Sequence, residues 1–203
     1  MTRRPCLLFL SALLLALFLS GCPKKVEKIP SIKAPPVKNP IAMLLETLSA
    51  AENFQSRASI RIDTVRKGEE MNFLLNGFVL YQRPGKLRIL GYHPLGMGLF
   101  DALYVDGEFF LLSPLEKKAF TGEVSEFEEL IEKQVIRIST EKGPGDLVPN
   151  LIRVGVEEKQ TRIDIRLKDI SVNSRLPEDA FLWAIPEGVE VRPLTQFLRG
   201  RKR

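Results

Sequence analysis

The stretch Leu103-Tyr104-Val105-Asp106-Gly107-Glu108-Phe109-Phe110-Leu111 decides the fold. Asp-Gly is the pair a two-residue primed turn demands, because both central positions take positive φ. The flanking runs are aromatic, β-branched or leucine-rich, so the chain doubles back as a hairpin. Upstream, Arg83-Pro84-Gly85-Lys86 reads as another turn, with proline presetting φ at its second residue and glycine taking positive φ at its third. It links Met71–Tyr81, where Met71, Phe73, Leu75, Val79 and Tyr81 share a face, to Leu87 and Ile89, which alternate with Lys86 and Arg88. Earlier still, Ala58, Ile60 and Ile62 oppose Arg57, Ser59, Arg61 and Asp63. Downstream, Lys117–Thr121 extends the series. Short turns predict strands paired antiparallel in chain order, a meander.

Helices flank these strands. Asn39 is a good N-cap, Pro40 suits the first helical position, and Ile41, Leu44, Leu45 and Leu48 follow the stripe of a half-buried helix ending near Asn53. Ser125 and Glu128 form a capping box ahead of Phe127, Leu130 and Ile131. On that second helix Glu126, Glu129 and Glu132 are its wet face rather than an acid–base site. After the Gly143-Pro144-Gly145 loop, strands resume at Leu151–Val156 and Thr161–Ile170, and Phe181–Ile185 reads as a last core strand halted by Pro186. About nine or ten strands with short helices predict a mostly β (α+β) fold, since accumulated twist curls so long a sheet into an incomplete barrel lidded by helices. Its concave face would carry Phe73, Leu75, Val79, Leu87, Ile89, Phe109, Ile163 and Ile165, with Phe127 and Leu130 from the second helix. If the helices fill it incompletely, an apolar cavity suited to a greasy ligand remains.

The N-terminus sets the expected location. Arg3 and Arg4 precede an apolar run from Leu7 to Leu19, about 13 residues against the roughly 20 needed to span a bilayer. The segment is expected to be a removable signal, residues 1–21. It ends in Leu19-Ser20-Gly21-Cys22, which resembles the lipobox of bacterial lipoproteins. That resemblance implies cleavage before Cys22 and lipidation of its thiol. Cys6 leaves with the signal, so the 182-residue remainder of the 203 residues has no second thiol for a disulfide. Residues 22–40, with five prolines and five lysines, read as a semi-rigid tether reaching on the order of 50 Å at ~3.1 Å per residue. The folded domain is expected over 41–195, with a basic tail at 196–203 that is solvated or touches anionic lipid headgroups. Pro23 follows the cysteine, in place of the Asp associated with inner-membrane retention, which leans towards the outer membrane facing the periplasm.

One loop breaks the pattern. Gly91-Tyr92-His93-Pro94-Leu95-Gly96-Met97-Gly98 has loop-forming residues but apolar side chains. Physics alone leaves two readings: a leucine facing outward, or a loop folded back over the barrel end. His93 is the sole histidine and is expected to be solvated. No nucleophile elbow, phosphate-binding loop or metal-ligand cluster is present, so no enzyme, metal or cofactor is expected. A globular part near neutrality offers no basic stripe for nucleic acid.

Phe54-Gln55-Ser56-Arg57-Ala58, Tyr81-Gln82-Arg83-Pro84-Gly85-Lys86-Leu87-Arg88-Ile89-Leu90 and Pro94-Leu95-Gly96 together resemble the LolB family of outer-membrane lipoproteins. Leu176-Pro177-Glu178-Asp179-Ala180-Phe181 and Ile185-Pro186-Glu187-Gly188-Val189 are similar to the wider LolA-like group. The resemblance covers about 41–122 and, loosely, 160–192, while 123–159 does not follow it. It implies an incomplete antiparallel barrel whose cavity holds the acyl chains of lipoproteins or lipids, and a periplasmic LolA-like carrier as partner. It also implies that Leu95, with Pro94, Gly96 and Met97 around it, enters the membrane to which the N-terminal lipid ties the chain. The competing expectation is an envelope-assembly lipoprotein whose packed barrel binds a protein partner.

Overall fold

The computed structural model describes residues 40–66, 68–125, 136–157 and 160–199. Contacts divide the chain into two units, Met1–Ile32 and Lys33–Arg203, and every described residue lies in the second. The signal, Cys22, most of the tether, Phe127, Leu130 and the tail beyond residue 199 lie outside the described residues.

Ten strands form one sheet: β1 (Asn53–Arg66), β2 (Glu69–Gln82), β3 (Lys86–Tyr92), β4 (Gly98–Val105), β5 (Glu108–Ser113), β6 (Lys118–Glu123), β7 (Ile136–Glu141), β8 (Leu151–Val156), β9 (Thr161–Val172) and β10 (Glu190–Pro193). β1 to β6 pair antiparallel in chain order, the expected meander. β7 to β9 form a second meander that joins the first through β9 beside β1, giving the order β10-β6-β5-β4-β3-β2-β1-β9-β8-β7. Among the described strands only β10 is parallel to its neighbour, β6. The sheet is curled and unclosed, with β7 and β10 as its edges, as expected from the resemblance to the LolA/LolB-like fold.

Two turns test the sequence reading differently. Asp106 and Gly107 have φ of 49° and 97°, the two positive values a primed turn needs. The Arg83–Pro84 turn forms with a cis peptide bond, and Gly85 does not take the positive φ expected of it.

The inner face is the apolar one. In β1 and β2, Phe54 faces Tyr81, Ala58 faces Gly77, Ile60 faces Leu75 and Ile62 faces Phe73. Ile60 and Ile62 also meet Ile165 and Ile163 of β9. Helix α1 (Pro40–Leu48) sets Leu44 and Leu48 into this cluster. It ends at Leu48, short of the expected Asn53, because Ala51 and Phe54 are buried and the chain must turn there to enter β1. Ile41 of α1 and Ile136 of β7 pack, as Tyr104, Phe109 and Leu111 of β4 and β5 do, against a cluster of Phe120, Val124 and Leu194, so side chains from opposite parts of the sheet meet across the curl. Ser56 is the buried polar residue of β1, at a register shift against β9. Its hydroxyl accepts the Lys168 N–H at 3.1 Å and lies 2.8 Å from the Lys168 carbonyl oxygen, filling the break in the ladder.

Phe181–Ile185 is not the core strand expected. The segment from Ser174 to Val189 is turn and coil, laid across the outer face of β3–β6. Trp183 packs on Phe110 with ring centroids 5.3 Å apart. The backbone oxygen of Ala180 accepts from Arg88 Nη1 at 3.0 Å. Turns at Pro177–Ala180 and Asp179–Leu182 use N–H groups that a strand would spend on a ladder. The strap leads into β10 and the short helix α2 (Leu194–Arg199), whose Leu194 packs with Phe120 and Val124.

Candidate functional site

The β3–β4 turn is the most sharply defined candidate. A register shift at Gly91/Tyr92 ends the ladder, and the chain reverses through His93-Pro94-Leu95-Gly96-Met97. The His93 N–H donates to the Met97 oxygen at 2.8 Å, and the Gly96 N–H donates to the His93 oxygen at 2.7 Å. The Leu95 N–H donates to His93 Nδ1 at 3.2 Å, which calls for the imidazole tautomer protonated on Nε2. Pro94 has no N–H, so the N–H groups from His93 to Gly96 are all accounted for inside the turn. Gly96 has a φ of 88°, a conformation that a side chain would strain.

This turn points Leu95 away from the protein. The side chain is 85 % exposed, and Met97 is 49 % exposed. Of the two readings the sequence leaves open, the outward leucine is the one observed. His93, expected to be merely solvated, also holds the turn's shape through Nδ1.

All the described candidates for cavity lining share the inner face: Phe73, Leu75 and Val79 of β2, Leu87 and Ile89 of β3, Phe109 of β5, and Ile163 and Ile165 of β9. Leu75, Val79, Leu87 and Ile165 are buried among each other and α1; Ile89, Phe109 and Ile163 are half-buried, and Phe73 is exposed. Phe54 stacks on Tyr81 at 5.6 Å, and the Phe100 ring lies so close over Gly91 that a Cβ there would come within 2.1 Å of it. The middle of the curl is therefore filled by side chains, and its apolar surface is most open towards Phe73.

A cavity of about 370 Å³ lies on the outer face, between the strap and the end of the sheet away from Leu95. Asn53, Gln82, Lys86, Arg175 and Glu178 line it together with Leu176, Pro177, Phe181 and Leu182, a mixed polar and apolar set rather than the wholly greasy one expected for an acyl chain. Beside it on that face, Arg88 and Asp101 form a largely buried two-pronged pair at 3.0 and 2.6 Å. The hydrogen bond to Asp101 raises the Arg88 pKa above its ordinary value and keeps the guanidinium charged. Among the described residues, no group of three or more His, Cys, Asp or Glu side chains is placed to hold a metal. Sequence reading passed over the turn at Pro114-Leu115, where a proline-leucine pair repeats the Pro94-Leu95 pattern two strands away.

No family model matches the chain, and no curated protein matches it. Among solved structures it is similar to a LolA superfamily protein from Nitrosomonas europaea, at 10% identity and a TM-score of 0.42, over 69% of this chain and 97% of that one. An uncharacterized conserved protein from Thermus thermophilus matches at 11% identity and a TM-score of 0.43, over 75% of this chain and 96% of that one. A putative outer membrane lipoprotein-sorting protein domain from Vibrio parahaemolyticus matches at 11% identity and a TM-score of 0.38, over 70% and 94%. These are likenesses of chain course, and no activity or client is read from them.

Proposed function

We propose that this chain is a lipid-anchored, non-enzymatic lipoprotein of the cell envelope that binds acyl chains on the inner face of its curled sheet, in lipoprotein sorting or insertion at the outer membrane. The observation that carries the reading is the β3–β4 turn. A bilayer core offers no water to satisfy backbone N–H groups, and each orphan there costs several kcal/mol. The turn from His93 to Gly96 brings none, and it presents Leu95 at 85 % exposure. Moving that side chain from water into hydrocarbon is worth about 1.5–3 kcal/mol. The lipobox-like Cys22 and the tether supply the surface for it to meet.

Leu95→Glu tests the reading. It should leave the unfolding midpoint unchanged, since the side chain is 85 % exposed, while delivery of lipoproteins to the outer membrane fails. Normal lipoprotein localisation in cells carrying only this variant would remove the turn's role.

The filled middle of the curl favours a second reading, an assembly lipoprotein with a packed barrel that binds a protein. Mass spectrometry of organic extracts from the purified protein separates the two. Co-purified lipid, or displacement of a bound fluorescent fatty acid, supports acyl-chain binding; a protein that carries and takes up neither is the packed one.

A further inference from the structure

We propose that the β5–β6 turn is a second membrane contact, and that the chain docks on a lipid surface through two leucine tips, Leu95 and Leu115, rather than one. The inference rests on the reading of Leu95 given above and extends it to a turn that the sequence resemblance does not single out.

Leu115 is 59 % exposed in the turn Pro114-Leu115-Glu116-Lys117, which the Lys117 N–H closes by donating to the Pro114 oxygen at 3.2 Å. β4 and β5 pair with Asp101 opposite Leu112, which carries Gly98 to the level of Pro114 and Leu115. A Cβ on Gly98 would stand 3.8 Å from Pro114 Cγ. The β3–β4 and β5–β6 turns therefore project from the same end of the sheet, two strand spacings or about 10 Å apart. Met97, half-exposed, lies on the chain between the Leu95 tip and β4.

The chemistry of the second turn suits a bilayer. Glu116, the acidic group beside Leu115, is held by Lys118 Nζ at 3.0 Å, so it does not present a bare carboxylate to anionic headgroups. Lys117 is exposed beside it with a positive φ of 50°, and a lysine there can keep its ammonium among phosphates while the leucine enters the tails. Occupancy by a lipid surface follows from continuity with Leu95 and from the expected lipid tether, which holds the domain within reach of one.

Two points fix what one cannot. A single leucine leaves the domain free to tilt about it; two tips about 10 Å apart set the line along which these two turns meet the bilayer. The outer cavity, at the opposite end, is then turned away from the membrane.

The test uses the mature lipidated protein reconstituted into vesicles of phosphatidylethanolamine and phosphatidylglycerol, with single Leu95→Cys, Leu115→Cys or Leu147→Cys variants carrying an environment-sensitive fluorophore. Leu147 is 50 % exposed in the β7–β8 loop at the other end and reports on any apolar position. The expected result is a blue shift and quenching by lipids spin-labelled on the acyl chain at 95 and 115, and neither at 147. Quenching at 95 without quenching at 115 overturns this proposal and leaves the Leu95 reading standing. Quenching at none of the three overturns both. Equal quenching at all three shows unspecific adsorption and overturns the two-tip contact.

Discussion

Tyr81 lies fully buried on β2, stacked on Phe54, and its hydroxyl finds no hydrogen-bonding partner. A buried hydroxyl left unsatisfied costs about 1–3 kcal/mol, so Tyr81→Phe should stabilise the domain by about 1 kcal/mol in urea unfolding at pH 8. The same burial raises the phenol pKa above its ordinary 10.0, with Arg83 working weakly against it. The protonated phenol is the form the fold accepts. Its contribution is intact below pH 10 and is lost as pH climbs through the raised folded value, because the unfolded chain gives up the proton first. The gap between Tyr81→Phe and the parent should therefore widen in urea titrations above pH 10. A constant gap would mean that the ring reaches solvent. At this scale the sequence was informative about direction and silent about partners: period two placed Tyr81 inward with Leu75 and Val79, but nothing in the string says whether an inward hydroxyl meets an acceptor. Leu95 is the converse case, where proline before and glycine after left the side chain little choice but outward.

At the scale of elements, alternation did most of the work. β1, β2 and β9 were legible because one face is buried and the other wet, which writes itself into every second residue. β7 carries the same alternation, Ile136, Ile138 and Thr140 against Arg137, Ser139 and Glu141, yet it sits in a stretch read through its neighbouring glutamates. The placement of β9 beside β1 had no local trace, since no short turn joins them. Phe181–Ile185 misled for a physical reason. An apolar run between prolines fits either a buried strand or a strap whose rings lie down on a sheet, and hydrogen bonding decides. Here the Ala180 carbonyl goes to Arg88, whose guanidinium is also paired with Asp101. Arg88→Met should leave Asp101 as a largely buried charge without its partner and free the strap, at a cost of about 3 kcal/mol. Replacing both, Arg88→Met with Asp101→Leu, should recover much of that loss while the strap still exchanges its amide hydrogens faster than in the parent. Equal exchange in parent and single variant would show that Trp183 on Phe110 holds the strap unaided.

For the whole molecule, the proposed function asks what would keep it at a membrane. Two leucine tips bury about 1.5–3 kcal/mol each at most. A single myristoyl chain, at about 0.8 kcal/mol per CH₂, has more apolar surface than both tips together and still gives only marginal, reversible binding. On the proposed function the tips would orient a domain already at the surface but could not hold it there, so retention would fall to the lipid expected on Cys22. The test replaces residues 1–22 with a secretory signal that ends in a small-x-small cleavage site, so that no uncleaved apolar run remains to confuse the result. The exported protein should move from the membrane pellet to the soluble fraction and keep the parent's unfolding midpoint, because α1 and the ten strands lie within residues 40–193. Acyl-chain uptake in solution should persist while outer-membrane delivery drops. If the protein instead stays with the membrane through a salt wash, the arithmetic fails. The end of the sheet that carries Leu95 and Leu115 would then have to bury far more than two side chains.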